Sequence, residues 1–361
     1  MSIQFHIDPD IRKASTLPSS FYRDKETFEE CKERIFSRSW HFIGDEDIVK
    51  VPGQVYPFNL LDEYLNEPLI LTRDNEDNLH CLSNVCTHRG NIVVEDPCNL
   101  NVLKCRYHGR RFELDGKFKS MPEFQECENF PTDADNLTKV DFEQWKNFIF
   151  VSLNPNHSLE TYLKPISERL NWFPFDRLKF EPSRSRDYLV KANWALYCDN
   201  YLEGFHIPFV HSGLNATLDY GKYESEIYEY CNLQIGISDK GEDTFDLPEN
   251  SPDFGKDVSA YYYWVFPNMM FNFYPWGLSV NIVKPIAVNL TKVSFLTYVC
   301  DPNALDKGAG AGLDRVERED EDIVEMVQKG INSRFYKSGR YSPKREQGVH
   351  HFHRVLGEFL G

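Results

Sequence analysis

The sequence predicts an α+β fold made of two domains with different textures. From Trp40 to about Leu153, short β-rich runs such as PLILTR and NFIFVSL alternate with Gly, Asn, Asp and Pro. Beyond that point, helical patterns flank aromatic-rich strands between residues 225 and 300. The 361 residues have room for two domains of ordinary size.

Several segments have helical spacing. Residues 24–37 place Phe28, Cys31 and Ile35 on one face, and residues 157–173 predict a connecting helix. Further helices are predicted near 194–205 and 314–332, and the final segment EQGVHHFHRVLGEFL predicts an amphipathic helix whose histidines pack or face solvent. We therefore expect an N-terminal helical segment (1–37) packed on the second domain, a β domain (38–157) and a second domain (158–361).

Composition limits the classes of function. The formal net charge is −16 and no basic run is present, so we expect no nucleic-acid partner. No stretch approaches the roughly 20 apolar residues of a membrane span, and no signal-peptide pattern begins the sequence, so we expect a cytoplasmic protein with no membrane partner. Nine cysteines, an odd and scattered set, argue against a disulfide framework.

Two of these cysteines have histidines at metal-ligand spacing. Cys86 and His88 form a CxH pair, and after sixteen intervening residues Cys105 and His108 form a CxxH pair. Such halves suit a [2Fe–2S] cluster with both thiolates on one iron and both imidazoles on the other. Gly90 and Gly109, one after each half, would let backbone amides approach the sulfides. A Cys₂His₂ zinc site and ordinary loop residues are the alternatives.

A second constellation lies in the segment from Asn193 to His211. On a helix of roughly 100° per residue, Asp199, Glu203 and His206 fall on one stripe among large apolar neighbours. A buried stripe of two acids and a histidine needs partners or a metal. His211 would lie about 140° from His206, so the two could share a metal only across a break, which Pro208 is expected to supply.

Two histidines and one carboxylate would complete the facial triad of non-haem Fe(II) oxygenases. The acidic run at 319–322 is the expected source. Within it, Asp320 projects into the middle of an apolar stripe, whereas Asp322, the second choice, should face water. The expected stripe consists of four residues: Val316, Ile323, Val327 and Ile331.

These motifs resemble a known family. CTHRG…CRYHGRRF, followed by Met121-Pro122-Glu123-Phe124, resembles the Rieske signature of ring-hydroxylating oxygenases. Asn91 and Tyr107 stand near the positions where respiratory Rieske proteins carry additional cysteines. The segment NWALYCDNYLEGFHIPFVH and the run EDEDIVEMVQ resemble the choline monooxygenase and carnitine oxygenase branch, although the first is one residue shorter than in choline monooxygenases.

The resemblance implies an all-β Rieske [2Fe–2S] domain followed by a helix-grip (START-like) catalytic domain with an antiparallel sheet. It implies a terminal oxygenase, with Cys86, His88, Cys105 and His108 on the cluster and His206, His211 and Asp320 on a mononuclear Fe(II). Glu203 and Asp199 are the candidate catalytic carboxylates, and Glu203 matches the acid that bridges neighbouring subunits of a homotrimer. Electrons would come from a separate NAD(P)H-dependent reductase or ferredoxin, since GAGAG at Gly308–Gly312 is not a dinucleotide motif and is expected to be a loop.

The aromatic run YYYWVFPNMMFNFYPWG (261–277) gives candidates for a substrate pocket, namely Trp264, Phe271 and Tyr274. Aromatic rings attract a quaternary ammonium group, and they also stack on aromatic substrates. The resemblance favours hydroxylation or N-demethylation of a small trimethylammonium compound, with ring dihydroxylation as the alternative. A pure Rieske electron carrier and a zinc-stabilised binding module are the competing classes.

Overall fold

The computed structural model describes residues 5–211, 224–238, 243–305 and 313–361. The chain folds into two compact units. The smaller unit is Ser37–Asn156, and the larger joins the residues up to Phe36 to His157–Gly361. The predicted GAGAG loop lies outside the described residues.

The smaller unit is built of short antiparallel strands. They are β1 (His41–Asp45), β2 (Gln54–Leu60), β3 (Glu67–Arg73), β4 (Leu79–Ser83), β5 (Cys98–Asn99), β6 (Leu103–Lys104), β7 (Arg111–Phe112), β8 (Phe118–Ser120), β9 (Asp141–Trp145) and β10 (Phe148–Ser152). They form three sheets, ordered β1-β10-β9, β4-β3-β2-β5 and β6-β7-β8. Two apolar clusters form its core, one around Leu69, Leu71 and Ile149 and one around Ile70, Leu82 and Phe112.

The larger unit contains all six α-helices and one large sheet of the described residues. The helices are α1 (Lys25–Arg34), α2 (Leu159–Arg169), α3 (Trp194–Tyr201), α4 (Ile207–Val210), α5 (Leu313–Ile331) and α6 (Gln347–Leu360). The strands are β11 (Lys179–Phe180), β12 (Arg186–Val190), β13 (Glu224–Ile227), β14 (Cys231–Ile237), β15 (Val258–Val265), β16 (Met269–Tyr274), β17 (Gly277–Ala287) and β18 (Leu290–Val299). The sheet is antiparallel in the order β11-β18-β17-β16-β15-β14-β13, with β12 also paired to β18.

One face of this sheet is unusually polar for a buried surface. Asn272 on β16 and Ser279 on β17 are paired across the sheet, and both are less than 5% exposed. Helix α3 lies over this face, because Tyr201 donates its hydroxyl proton to Asn272 Oδ1 at 2.6 Å. Side chains alternate along a strand, so the opposite face carries the apolar neighbours such as Phe273. That face packs against Phe173 and Phe175, at ring distances of 5.1 and 5.8 Å.

Helix α3 ends earlier than the sequence predicts. Asn193 caps its start by accepting the Ala195 amide proton at 3.0 Å, and its last residue is Tyr201 rather than residue 205. Asp199 therefore lies on the helix, whereas Glu203 lies after its end. The predicted break at Pro208 is also wrong, because this proline stands in the first turn of α4, where no amide donor is needed.

Helix α5 confirms the predicted helix near 314–332 but not its apolar stripe. Val327 is 43% exposed, whereas Val324 and Ile331 are buried. Gln328 is also buried, at 4% exposed, because its Oε1 accepts the Asn193 amide proton at 2.8 Å. A stripe assigned from apolar residues alone cannot register a buried glutamine whose partner lies on another element.

The terminal segments pack on each other. Phe28, Cys31 and Ile35, which the sequence places on one face, are all buried, and α1 contacts α6. Two histidines of α6 are buried, and His350 is hydrogen bonded to the Asp8 carbonyl at 2.8 Å. None of the helices in the described ranges is both long and apolar enough to span a bilayer.

Candidate functional site

Two loops of the same construction carry the first set of predicted ligands. One follows β4 and the other joins β6 to β7. In each, the cysteine amide donates to the carbonyl five residues on, and a glycine amide donates back to the cysteine carbonyl, at 2.8–3.0 Å. These glycines, Gly90 and Gly109, have φ of +69° and +74°, in the left-handed region that favours glycine.

The side chains of these loops separate into a sulfur side and an imidazole side. Cys86 and Cys105 are 3% and 2% exposed, and Asn91 Nδ2 donates to Cys105 Sγ at 3.6 Å. The rings of His88 and His108 lie 4.8 Å apart at 74°. Burial, and then the neighbouring His108, lowers the pKa of His88, which favours the neutral imidazole that binds metal. This donor set fits a cluster with two cysteines on one iron and two histidines on the other.

The segment Met121–Phe124 lies over these loops, where the resemblance places a covering proline loop. The ring of Phe124 is 5.6 Å from that of His88, in an edge-to-face arrangement. A Cβ on Gly109 would lie 3.6 Å from Pro122 Cγ, so glycine leaves room for the proline ring. The segment therefore covers part of the histidine side of the loops.

The second set of predicted ligands comes together in the larger unit. Asp320 Oδ1 lies 3.0 Å from His211 Nε2 and 3.4 Å from His206 Nε2. Within the described ranges, these three form the one group of His, Cys, Asp or Glu side chains whose donor atoms all lie within 4.8 Å of one another. Two imidazoles and one carboxylate fit a facial triad.

The side chains of this group shift one another's pKa. Burial favours a low pKa for His206, but the hydrogen bonds with Asp320 and Glu203 outweigh it and raise the pKa to about 9. Burial likewise favours a high pKa for Asp320, and the two histidines reverse that and lower it. A divalent cation would supply the positive charge that protons supply otherwise, so metal binding would release protons here.

Glu203 fixes the orientation of the first histidine. Its Oε1 lies 2.7 Å from His206 Nδ1, and its Oε2 accepts the amide protons of His206, at 3.1 Å, and of Phe205. Because the Glu203 carboxylate pairs with Nδ1, Nε2 is the nitrogen that is left to bind a metal, and it faces Asp320. Glu203 is therefore joined to the metal-binding group through His206 rather than being a member of it.

The second histidine has a carboxylate partner that the sequence reasoning missed. Glu319 Oε2 lies 2.9 Å from His211 Nδ1, on the side of the ring away from Asp320. Glu319 lies in the same acidic run, but helical phase alone does not show that its side chain reaches the ring of His211. Asp322 is exposed, so the structure does not bring it into the group.

Asp199 belongs to a different network. Its Oδ2 accepts the Tyr22 hydroxyl proton at 2.8 Å, and its Oδ1 lies 2.8 Å from His353 Nε2. On the other side of the ring, Nδ1 faces the Tyr341 hydroxyl at 2.6 Å and the Leu17 amide at 3.5 Å. An amide can only donate, so this geometry places the His353 proton on Nε2, directed at Asp199. Both oxygens of Asp199 are thus engaged away from His206.

The three aromatic residues predicted for a substrate pocket lie in different parts of the larger unit. Trp264 packs edge-to-face on Phe352 of α6 at 5.0 Å. Phe271 and Tyr274 lie an odd number of residues apart on β16, so they point to opposite faces. Tyr274 stacks on Trp276 at 5.1 Å, and its pKa is raised first by burial and then by nearby groups that include Glu317 of α5. Tyr274 therefore lies near the helix that carries Asp320.

Each of the two sites lies within a region that matches a known family. Residues 39–131 match the family model described as Rieske [2Fe-2S] domain, and residues 175–361 match Ring hydroxylating alpha subunit (catalytic domain). A pure electron carrier would not account for the second match.

Relatives match over almost the whole chain. Choline monooxygenase of Beta vulgaris is 30% identical, over 99% of this chain and 80% of its own length. The carnitine monooxygenase oxygenase subunit of Escherichia coli K12 is 27% identical, over 96% of this chain and 94% of its own. The crystal structure of the quaternary ammonium Rieske monooxygenase CntA superposes with a TM-score of 0.79 at 24% identity, covering 98% and 97% of the two chains. The chain therefore belongs to the Rieske non-haem iron oxygenases, oxidoreductases whose catalytic subunit carries a [2Fe–2S] cluster and a mononuclear iron.

Proposed function

We propose that this chain is the terminal oxygenase component that uses O₂ and electrons from a separate NAD(P)H-dependent reductase or ferredoxin to hydroxylate or N-demethylate a quaternary ammonium compound. The observation that carries the proposal is the approach of His206, His211 and Asp320 to within 4.8 Å of one another in a chain that also holds a cysteine–histidine loop pair. The relatives named for choline and carnitine support the substrate class.

The residue assignments follow from the donor sets. Cys86 and Cys105 would hold one iron of the cluster, and His88 and His108 the other. The group of His206, His211 and Asp320 would hold Fe(II) on one face and leave positions for O₂. When bound, the metals supply electron storage and O₂ activation, and the protein supplies orientation and the exclusion of water.

Glu203 is proposed to bridge subunits. Its carboxylate already holds His206 Nδ1 at 2.7 Å, and its side chain is 14% exposed, so it lies close to the surface. Next to it, Phe205 and Phe209 are 42% and 80% exposed, apolar side chains that suit a subunit interface. We propose a homotrimer in which Glu203 joins His206 to a cluster histidine of the neighbouring subunit.

The substrate cation is proposed to bind an aromatic group made of Tyr262, Tyr274 and Trp276. Tyr262 meets Tyr274 edge-to-face at 6.0 Å, and Trp276 stacks on Tyr274 at 5.1 Å. Glu317, one helical turn before Asp320, accepts the Tyr197 hydroxyl proton at 2.7 Å. Burial raises the pKa of Tyr262, and the negative charge of Glu317 also raises it, which indicates that this carboxylate lies near the Tyr262 ring. Aromatic faces beside a carboxylate favour a trimethylammonium group through cation–π attraction.

A single-turnover experiment tests the proposal without the native reductase. The iron-loaded protein is reduced anaerobically, freed of reductant and mixed with O₂ and one compound from a panel of choline, glycine betaine, carnitine and benzoate. We expect a trimethylammonium compound to accelerate reoxidation of the cluster and to yield a hydroxylated or demethylated product. Formaldehyde release would distinguish N-demethylation. A product from benzoate, with none from the ammonium compounds, would support ring dihydroxylation instead.

A further inference from the structure

Arg110 is a buried cation in the unit that carries the cysteine–histidine loops. It stands two residues after His108, and its side chain is 2% exposed. Three phenylalanine rings surround its guanidinium, with Cζ at 5.0, 5.5 and 5.6 Å from the ring centres of Phe118, Phe130 and Phe112. Removing an ion from water costs several kcal/mol, so a buried arginine needs strong partners.

Its ionic partner is Asp135, which also holds the other loop. Arg110 Nη2 donates to Asp135 Oδ1 at 2.6 Å and to the Asp135 carbonyl at 3.1 Å. The same carbonyl accepts the Thr87 hydroxyl proton at 2.8 Å. Thr87 lies between Cys86 and His88, so both loops meet on one residue. A buried guanidinium is thereby fixed in position relative to both halves of the cluster site.

The charge of Arg110 is permanent, and its countercharge lies nearer to water. A guanidinium stays protonated in proteins, and its side chain is 2% exposed, whereas that of Asp135 is 19% exposed, so water screens the carboxylate more than the guanidinium. The Arg110 carbonyl accepts the Cys105 amide proton at 2.9 Å, which ties this residue directly to a cluster cysteine. Reduction adds one negative charge to a cluster, so a fixed cation nearby stabilises the reduced state and raises the reduction potential.

We infer that Arg110 is a positioning and charge-setting residue that raises the reduction potential of the cluster, and that Asp135 limits this rise. The inference rests on the proposed function, since it takes Cys86, His88, Cys105 and His108 as the cluster ligands. It predicts that changes of charge at the two residues shift the potential in opposite directions. A purely structural role would not produce opposite shifts.

The experiment is a redox titration of the full-length protein, followed by the visible circular dichroism and electron paramagnetic resonance of the cluster. Arg110→Met keeps a long apolar stem among the phenylalanines and removes the charge. We expect it to favour the oxidised cluster at least tenfold, which is about 59 mV for one electron. Arg110→Lys keeps the charge and should stay near the wild-type potential, and Asp135→Asn should shift it upwards. Thr87→Val, which removes a hydrogen bond without a change in charge, is the matched control.

Each outcome decides a different point. A potential that is unchanged in Arg110→Met, or lowered equally in Arg110→Lys, overturns the inference while leaving the proposed function intact. Should Arg110→Met and a second neutral variant, Arg110→Gln, both lose the cluster while Arg110→Lys retains it, the residue serves assembly and the inference fails. A wild-type protein without a Rieske spectrum would overturn the proposed function itself.

Discussion

The proposed role of Glu203 depends on the negative charge of its carboxylate. In the wild-type protein a carboxylate oxygen of Glu203 lies 2.7 Å from His206 Nδ1. Glu203→Gln keeps the length of the side chain and an oxygen that can face this nitrogen, but it removes the negative charge. We expect both metals to remain bound and the rate of cluster reoxidation to fall at least tenfold, the lower end of the roughly 10–100-fold cost of such partners. Iron content and stopped-flow absorbance measure the two effects.

The control for this variant is Glu29→Gln, which makes the same change on an exposed position of α1. It should match the wild-type protein in both measurements. Reoxidation at the wild-type rate in Glu203→Gln would mean that the carboxylate has no part in electron transfer.

The choice between two aspartates can be decided by counting iron. Asp320 lies between the two histidines, whereas Asp322 is exposed on the same helix. Asp320→Ala should reduce the iron content from about three to about two per chain while the cluster spectrum persists, since a triad without its carboxylate loses affinity. Asp322→Ala, a matched control, should keep all three. The reverse result would transfer the ligand role to Asp322.

At the scale of elements, the site depends on how α3 ends and how α5 is oriented. The sequence stripe places Asp199, Glu203 and His206 on one helix, but the helix stops at Tyr201 and the two acids have separate partners. Tertiary contacts explain why two predictions were wrong, the end of α3 and the buried face of α5. On α5, Gln328 is buried and Val327 is exposed. Local periodicity does not contain those contacts, so it identifies the helices but not their ends or their buried faces.

The network around Asp199 joins three elements, and it predicts a loss of stability. Asp199→Ala would remove the acceptor of both the Tyr22 hydroxyl and the His353 Nε2–H, and the 3.1 Å contact between these two groups can pair only one of the two donors. Each buried donor left unpaired costs about 1–3 kcal/mol. We therefore expect urea unfolding of the larger unit, followed by circular dichroism, to shift to lower concentration. Iron content at the mononuclear site should be retained.

The matched control is Asp187→Ala, an exposed position on β12. It should leave the unfolding curve almost unchanged. A variant of Asp199 that loses the mononuclear iron but keeps its stability would place this acid in the metal site after all.

At the scale of the whole molecule, sequence texture is enough to separate a β-rich domain from a helix-and-sheet domain, because short punctuated strands and long periodic helices have different patterns. The metal motifs are also legible, since Cys86, His88, Cys105 and His108 are close in sequence. Contacts such as Tyr22 to His353, 331 residues apart, leave no local pattern and require the three-dimensional structure.

The proposed trimer makes a quantitative prediction about shared active sites. Cys86→Ala should abolish the cluster but keep the His206, His211 and Asp320 group, and Asp320→Ala should do the converse. Each variant alone should be inactive. If electrons pass from one subunit to the next, co-expressed variants in equal amounts should recover about a quarter of wild-type activity. In a randomly assembled ring, an intact iron site meets an intact neighbouring cluster at about one interface in four. Turnover of the unfractionated mixture measures this quarter, and doubly purified mixed trimers, made from differently tagged variants, should recover about a third, because each has one competent interface in three. No recovery in the mixed trimers would show that each chain supplies its own electrons.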